Sequence, residues 1–324
     1  MEQDEMPVTM PKIAFLFPGQ GSQSVGAGRQ LFQASGETRR LLELADKISG
    51  LPITGYVLKG PMASLTRTEV LQPAITALSL GALHYLSRLG IEPAAAAGHS
   101  LGEYSALACC NVITPDQAIE ITAMRGKLMA EASEQSKGAM VALISRNIID
   151  RTRDLVPLKM QDLVTVANIN SPDQVVISGQ ATVLDDLVNK IKSRDKQIKA
   201  VRLNVSGPWH SPLMSRAAEK LEVFLHKFEF KPPSKRLFLN VTGDSIENPV
   251  EIRKAVVKQL TSSIKWLNLQ QAMFNQGFEH FIEVGPGSVL KGLLRRSHPE
   301  PGKIQAWSGC EPGALKAISR RLQG

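Results

Sequence analysis

The run AAAAGHSLGEYSALA, residues 94–108, most narrows what this chain can fold into. Four alanines lead into Gly98-His99-Ser100-Leu101-Gly102, and helix-compatible residues follow. This is the G-x-S-x-G pattern of a nucleophile elbow, where a strand turns so sharply into a helix that one serine is lifted into a strained, exposed position. Such a turn requires small flanking residues, a buried strand before it and a helix after it. A glycine-bounded strand-to-helix turn without chemistry fits the same pattern, so the other residues must decide.

The surrounding segments alternate between strand and helix character, which argues for an α/β fold. KIAFLF (12–17) reads as a buried strand followed by the loop PGQGSQ. Residues 71–89 read as a helix, 94–98 as a strand and 101–110 as the helix behind the elbow. Thr114, Pro115 and Gln117 sit in capping-box positions and open a helix expected to run to about 132. The texture then changes. GAMVALIS (138–145), a short helix at 147–155, strands at 164–169 and 174–178, a helix at 181–194 and a strand at 197–203 give the order βαββαβ, the ferredoxin-like pattern. Beyond it come SGPWHSPLM, a helix at 213–227, the strand LFLNVTG, a helix near 250–260, the strand HFIEVG and a GPG loop with a final helix. The expected division is a large discontinuous α/β subdomain, 1–136 and 205–324, interrupted by an inserted small one, 137–204.

Composition removes several function classes. Of 324 residues 43% are hydrophobic and 21% charged, ordinary values for a globular chain. Three cysteines are too few and too oddly numbered for a secreted disulfide framework and lack metal-ligand spacing, which points to a reducing cytoplasm. The first residues, MEQDEMPVTMPK, are acidic and lack an apolar core, so they read as neither a signal nor a transit peptide. No run approaches the ~18 apolar residues of a membrane span. The net charge of +8 favours acidic partners, and its densest stretch, KIKSRDKQIKAVR (190–202), reads as a solvated helix face and strand edge. With 5% aromatic residues and none interleaved there, nucleic acid is not the expected partner.

A nucleophilic serine needs a base. His84 and His226 fall in helical patterns, His280 opens a strand, His298 sits in a polar loop, and His99 adjoins the serine at a turn that should aim it elsewhere. His210 lies in the rigid loop Gly207-Pro208-Trp209-His210-Ser211-Pro212, where a side chain can be fixed as a general base or simply be a polar loop residue. Acyl transfer also needs two oxyanion donors. The backbone N–H of Leu101 is one candidate, and the loop Gly19-Gln20-Gly21 supplies others. Arg125 shares the inward stripe of its helix with Ala118, Ile121, Leu128 and Ala132. A guanidinium there either reaches solvent, pairs with an acid of the protein, or clamps a carboxylate of the substrate.

Taken together, FPGQGSQ (17–23), GHSLGEYSALA (98–108), MRGKLM (124–129), NINSPDQVVISG (168–179), HSPLM (210–214) and EVGPGSVL (283–290) closely resemble the malonyl-CoA:acyl carrier protein transacylases. The resemblance covers all but the first ten or so residues. It implies an α/β-hydrolase-like large subdomain with a ferredoxin-like insert, and ping-pong transfer of a malonyl group from malonyl-CoA to the phosphopantetheine thiol of acyl carrier protein, with no cofactor of the enzyme's own. By resemblance Ser100 is the nucleophile and His210 its base, oriented by the Gln259 carbonyl. Gln20 and Leu101 form the oxyanion hole, while Arg125 and His99 contact the substrate. The basic stretch would suit an acidic carrier protein. Trp209, before the histidine, departs from the smaller residue usual there and bears on extender-unit choice. Rival readings are a trans-acting acyltransferase for a polyketide synthase or malonate decarboxylase carrier, an acyl-thioester hydrolase, and a silent carrier-docking module.

Overall fold

The structure, a computed structural model, describes residues 11–156 and 163–323. The N-terminal stretch read above for targeting signals lies almost wholly outside them. Among the described residues ten strands form two sheets: β1 (Ile13–Phe17), β2 (Ala95–Gly98), β3 (Gly138–Ile144), β4 (Val164–Ser171), β5 (Gln174–Gln180), β6 (Lys199–Arg202), β7 (Arg236–Leu239), β8 (Asp244–Ser245), β9 (His280–Val284) and β10 (Gln305–Gly309).

The large sheet has the order β10-β9-β1-β2-β7-β8, parallel except for the β7–β8 pair at its edge. Central strands covered by helices on both faces should be apolar throughout rather than alternating. β1 is: Phe15 and Phe17 enter one core, while Ala14 and Leu16 enter the other with Phe238 and Trp266. Chain order runs from β1 to β2 on one side and reaches β9 on the other. The crevice at the C-terminal ends of these strands is therefore a topological switch point, where open α/β sheets place ligands.

The second sheet, order β4-β5-β3-β6, is antiparallel throughout, as the βαββαβ reading requires. Its side chains alternate by strand period. Val141, Leu143, Val175 and Ile177 pack with Leu184, Leu187 and Ile191 of the helix Ala181–Arg194, while Met140, Ala142, Ala167 and Val176 join the main core. Backbone hydrogen bonds from the Ile169 N–H to the Ile264 carbonyl and from the Ile264 N–H to the Ala167 carbonyl tie β4 to the segment that leads into the helix Trp266–Asn275 of the large subdomain.

Several boundaries move from the sequence reading. The first long helix starts at Thr68 rather than 71, and the helix after the capping box, which forms as read, runs to Ser136. His226 falls just past its helix, which ends at Leu225. The segment LFLNVTG leaves the sheet after Leu239 because Asn240 gives its N–H to a side chain instead of a strand neighbour. Four helices between Arg29 and Leu65, the helices Trp266–Asn275 and Pro312–Gln323, and β10 carried no reading from sequence. Among the described residues no helix is long and apolar enough to cross a membrane.

Candidate active site

Ser100 stands between β2 and the helix Gly102–Cys109 with φ +50°, the left-handed conformation an elbow imposes. The flanking glycines are steric requirements. A Cβ on Gly98 would meet the Gly102 carbonyl carbon at 1.9 Å, and one on Gly102 would meet the Phe17 carbonyl oxygen at 2.0 Å. Asn240 brackets the turn: its Oδ1 accepts from the Ser100 N–H at 2.7 Å, and its Nδ2 donates to the Gly98 carbonyl at 2.6 Å. A strained turn persists only where its surroundings over-determine it, and this amide does so.

The Ser100 Oγ lies 2.8 Å from His210 Nε2, and His210 Nδ1 lies 2.8 Å from the Gln259 carbonyl oxygen. The carbonyl can only accept, so Nδ1 carries the proton and Nε2 is left to receive the serine's. His210 has φ +57° and is buried. Burial, then the charge of Arg125, push its pKa down to about 3 against the pull of the Gln259 carbonyl, so the imidazole is neutral at pH 7.

Arg125 is 1% exposed on the stripe that called for apolar side chains. Its Nη1 donates to Gln72 Oε1 at 2.8 Å, and its Nη2 donates to Gln259 Oε1 at 3.0 Å and to Ser100 Oγ at 3.2 Å. Every one of these acceptors is neutral. Among the described residues no carboxylate lies within ion-pair distance of the guanidinium. Among the described residues the guanidinium thus neither reaches solvent nor pairs with an acid of the protein.

The loop after β1 runs against the elbow, close enough that a Cβ on Gly19 would meet the His99 carbonyl oxygen at 2.5 Å. Ser22 Oγ donates to the Gly19 carbonyl at 2.8 Å and fixes the loop. No hydrogen bond among the described residues uses the N–H of Gln20 or of Leu101. His99 turns its Nε2 to Asn170 Oδ1 on β4, 2.9 Å away, and sets its ring edge-on to Trp266 at 5.3 Å. Trp209 is buried and anchored by its Nε1, which donates to Ser133 Oγ at 3.3 Å. Gln20, His99, Ser100, Trp209 and His210 all line one cleft, whose other wall is formed by β3, β4 and β5.

The structure therefore gathers Ser100, His210, Gln259, Arg125, Gln20, Leu101 and His99 around one point. Sequence reading missed Asn240, Gln72, Asn170 and Glu103. Glu103 had a visible signal, a carboxyl inside an otherwise small and apolar helix, the same signal that exposed Arg125. It is fully buried, its Oε2 accepting from the Asn240 N–H at 2.6 Å and its Oε1 from Gln259 Nε2 at 2.9 Å. Burial raises its pKa, to about 8, against the Asn240 N–H, the Arg125 charge and the Gln259 amide. Burial favours the neutral acid, but both of its neighbours are donors that cannot accept, so its hydrogen bonds hold the carboxylate form against that pull.

The chain as a whole has relatives among known proteins. The acyl transferase domain family matches residues 14–309. The malonyl CoA-acyl carrier protein transacylase of Bacillus subtilis (strain 168) is 36% identical over 289 residues, 89% of this chain and 90% of that protein. The crystal structure of an acyl carrier protein S-malonyltransferase from Vibrio cholerae superposes with a TM-score of 0.86 at 35% identity, covering 95% of this chain and 99% of that one. The malonyl-transacylase PlMCAT, solved in complex with the type II PKS acyl-carrier protein AntF, gives a TM-score of 0.87 at 34% identity over 96% and 99% of the two chains. With a family match over most of its length and relatives of this identity, the chain belongs to the acyl transferase domain family, among the malonyl-CoA:acyl carrier protein transacylases.

Proposed function

We propose that this protein transfers the malonyl group of malonyl-CoA to the phosphopantetheine thiol of an acyl carrier protein, through a malonyl ester on Ser100, and so supplies extender units for fatty acid synthesis. The observation that carries this reading is the buried Arg125, beside a polarised serine and, among the described residues, without a carboxylate of the protein's own. A site for unsubstituted acyl groups gains nothing from an unpaired buried cation, which makes the hydrolase reading poor.

In the first half-reaction Ser100 Oγ attacks the thioester carbonyl while His210 Nε2 takes the hydroxyl proton. The developing imidazolium is held by the Gln259 carbonyl at Nδ1, and the oxyanion is received by the N–H groups of Gln20 and Leu101. Collapse expels the CoA sulfur, which takes the proton back from His210. In the second half the carrier's thiol attacks the malonyl ester, gives its proton to His210, and Ser100 leaves protonated. Arg125 pairs with the malonyl carboxylate, which lies two carbons from the reacting carbonyl and within reach of a guanidinium already 3.2 Å from Ser100 Oγ.

A polyketide carrier is a second acceptor with the same chemistry, favoured by the likeness to PlMCAT in its complex with AntF. The basic stretch of 190–202 forms an exposed edge of the small sheet and its helix, suited to an acidic carrier. Three free, buried cysteines fit a reducing cytoplasm.

Incubation with labelled malonyl-CoA, with and without carrier protein, tests the reading by mass spectrometry. One malonyl group on the Ser100 peptide, discharged on adding carrier protein, is expected. Label on another residue, or none with Ser100 intact, would overturn it.

A further inference from the structure

Among the described residues no carboxylate stands directly beside Arg125, yet one lies only one side chain away. Glu103, on the elbow helix, is separated from Arg125 by the amide of Gln259. That amide is fully committed. Its Oε1 accepts from Arg125 Nη2 at 3.0 Å, and its Nε2 donates to Glu103 Oε1 at 2.9 Å and to the Ser100 carbonyl at 3.0 Å. The order of donors and acceptors cannot be reversed. Rotating the amide would set its NH₂ against the guanidinium, donor to donor, and its oxygen against two acceptors.

From this geometry we propose that the Gln259 side chain is a specificity-determining spacer, which positions Arg125 while keeping the carboxylate of Glu103 off it, so that the cation is left for the substrate's carboxylate. The inference rests on the reading of Arg125 as the carboxylate clamp and assigns the residues that keep the clamp open. A buried arginine in direct contact with a buried acid would be satisfied, and an incoming malonyl group would have to displace that acid. With an amide between them, Arg125 is held by hydrogen bonds to Gln259 and Gln72 and its charge is not cancelled. Glu103 acts only through its neighbours. One oxygen anchors the Gln259 amide, the other anchors the N–H of Asn240, whose side chain brackets the elbow. Glu103 is therefore a positioning residue that aligns the serine and its clamp from one buried point.

The test separates charge from alignment by comparing malonyl with acetyl transfer. The double variant Glu103→Gln/Gln259→Glu exchanges the two side chains at constant net charge. Its carboxylate then sits at position 259 against Arg125, with an amide donor at position 103 facing it. We expect the malonyl-to-acetyl ratio of kcat/KM to fall about 10-fold or more, the order of one charge-assisted pair. Any misalignment of His210 slows both substrates and cancels in the ratio. Glu103→Gln alone sets donor against donor without moving a charge to Arg125. It should depress kcat for both substrates and leave the ratio within about threefold of wild type, whereas a merely packed acid would change neither. Arg125→Ala is the reference. If its ratio falls and that of the exchange variant does not, the spacer is wrong and the clamp stands. If the ratio is unchanged in Arg125→Ala itself, the clamp reading fails. Should the exchange variant not fold by circular dichroism, Gln259→Glu alone brings a carboxylate to Arg125 and must lower the same ratio.

Discussion

The two walls of the cleft are built on different principles. The wall at the ends of β1 and β2, with the His210 loop above it, carries every reactive group. Each group there is fixed by hydrogen bonds: Ser100 by Asn240 and Gln259, His210 by Gln259, and Arg125 by Gln72 and Gln259. The opposite wall, from β3, β4 and β5, presents Met140, Asn168, Asn170, Gln174 and Val176. Among the described residues its one hydrogen bond to the reactive side is that between Asn170 and His99. One wall pre-organises charge and proton transfer, and the other gives the cleft its shape. Substitutions on the first should therefore cost rate, and substitutions on the second should cost little beyond packing.

The largest effect expected from a substitution that leaves the nucleophile in place is that of His210→Ala, which removes the proton acceptor. Single-turnover acylation by malonyl-CoA should slow about 100-fold to 10,000-fold. A near-normal burst would dissolve the distinction between the walls, because the best-fixed base would then be dispensable.

Arg125→Ala comes next. Losing a charge-assisted pair worth roughly 1.5–3 kcal/mol lowers malonyl kcat/KM about 10-fold to 100-fold, while acetyl transfer stays level or rises. Kinetics with the two thioesters on folded protein decide this, and an equal loss for both would move Arg125 from recognition to architecture.

A third prediction concerns stability. His210 is held neutral when folded, with its pKa near 3 rather than 6.5. As pH falls below 6.5 the unfolded chain gains a proton that the folded one refuses, so this group's share of stability is lost on acidification. Between pH 7 and pH 5 the stability gap between wild type and His210→Gln should shift by about 2 kcal/mol against wild type, measured by denaturant melts. Glu103, whose burial acts in the opposite sense, is common to both proteins. A pH-independent gap would mean that His210 titrates normally.

The smallest effect belongs to the shaping wall. Met140→Leu conserves volume, and should cost under about 1.5 kcal/mol of stability and change malonyl kcat/KM by no more than about threefold. A tenfold fall would give that wall a part in the chemistry.

Local rules carried much of this molecule. Glycine spacing around Ser100, the capping box at Thr114 and the strand periods of 138–203 depend on near neighbours, and their outcomes were legible from residues 94–203. Arg125 was legible as inward-facing because helical spacing alone sets its direction, and His210 because its loop was rigid. The helices between Arg29 and Leu65 escaped for two reasons: three of them are short and owe their stability to packing, while the longest, Gly36–Ser49, carries a signal the reading passed over, a Ser35 cap and a buried face of Leu41, Leu42 and Ala45 against the Thr68–Arg88 helix. What the sequence could not determine was the partner of each charge. Glu103 and Gln259 are 156 residues apart, Ser100 and Asn240 are 140, and Arg125 and Gln72 are 53. A hydrogen bond depends on separations of a few tenths of an ångström, and across such intervals only the packed sheets set them. The sequence fixes which chemistry is present; the tertiary structure decides that the guanidinium meets amides instead of an acid.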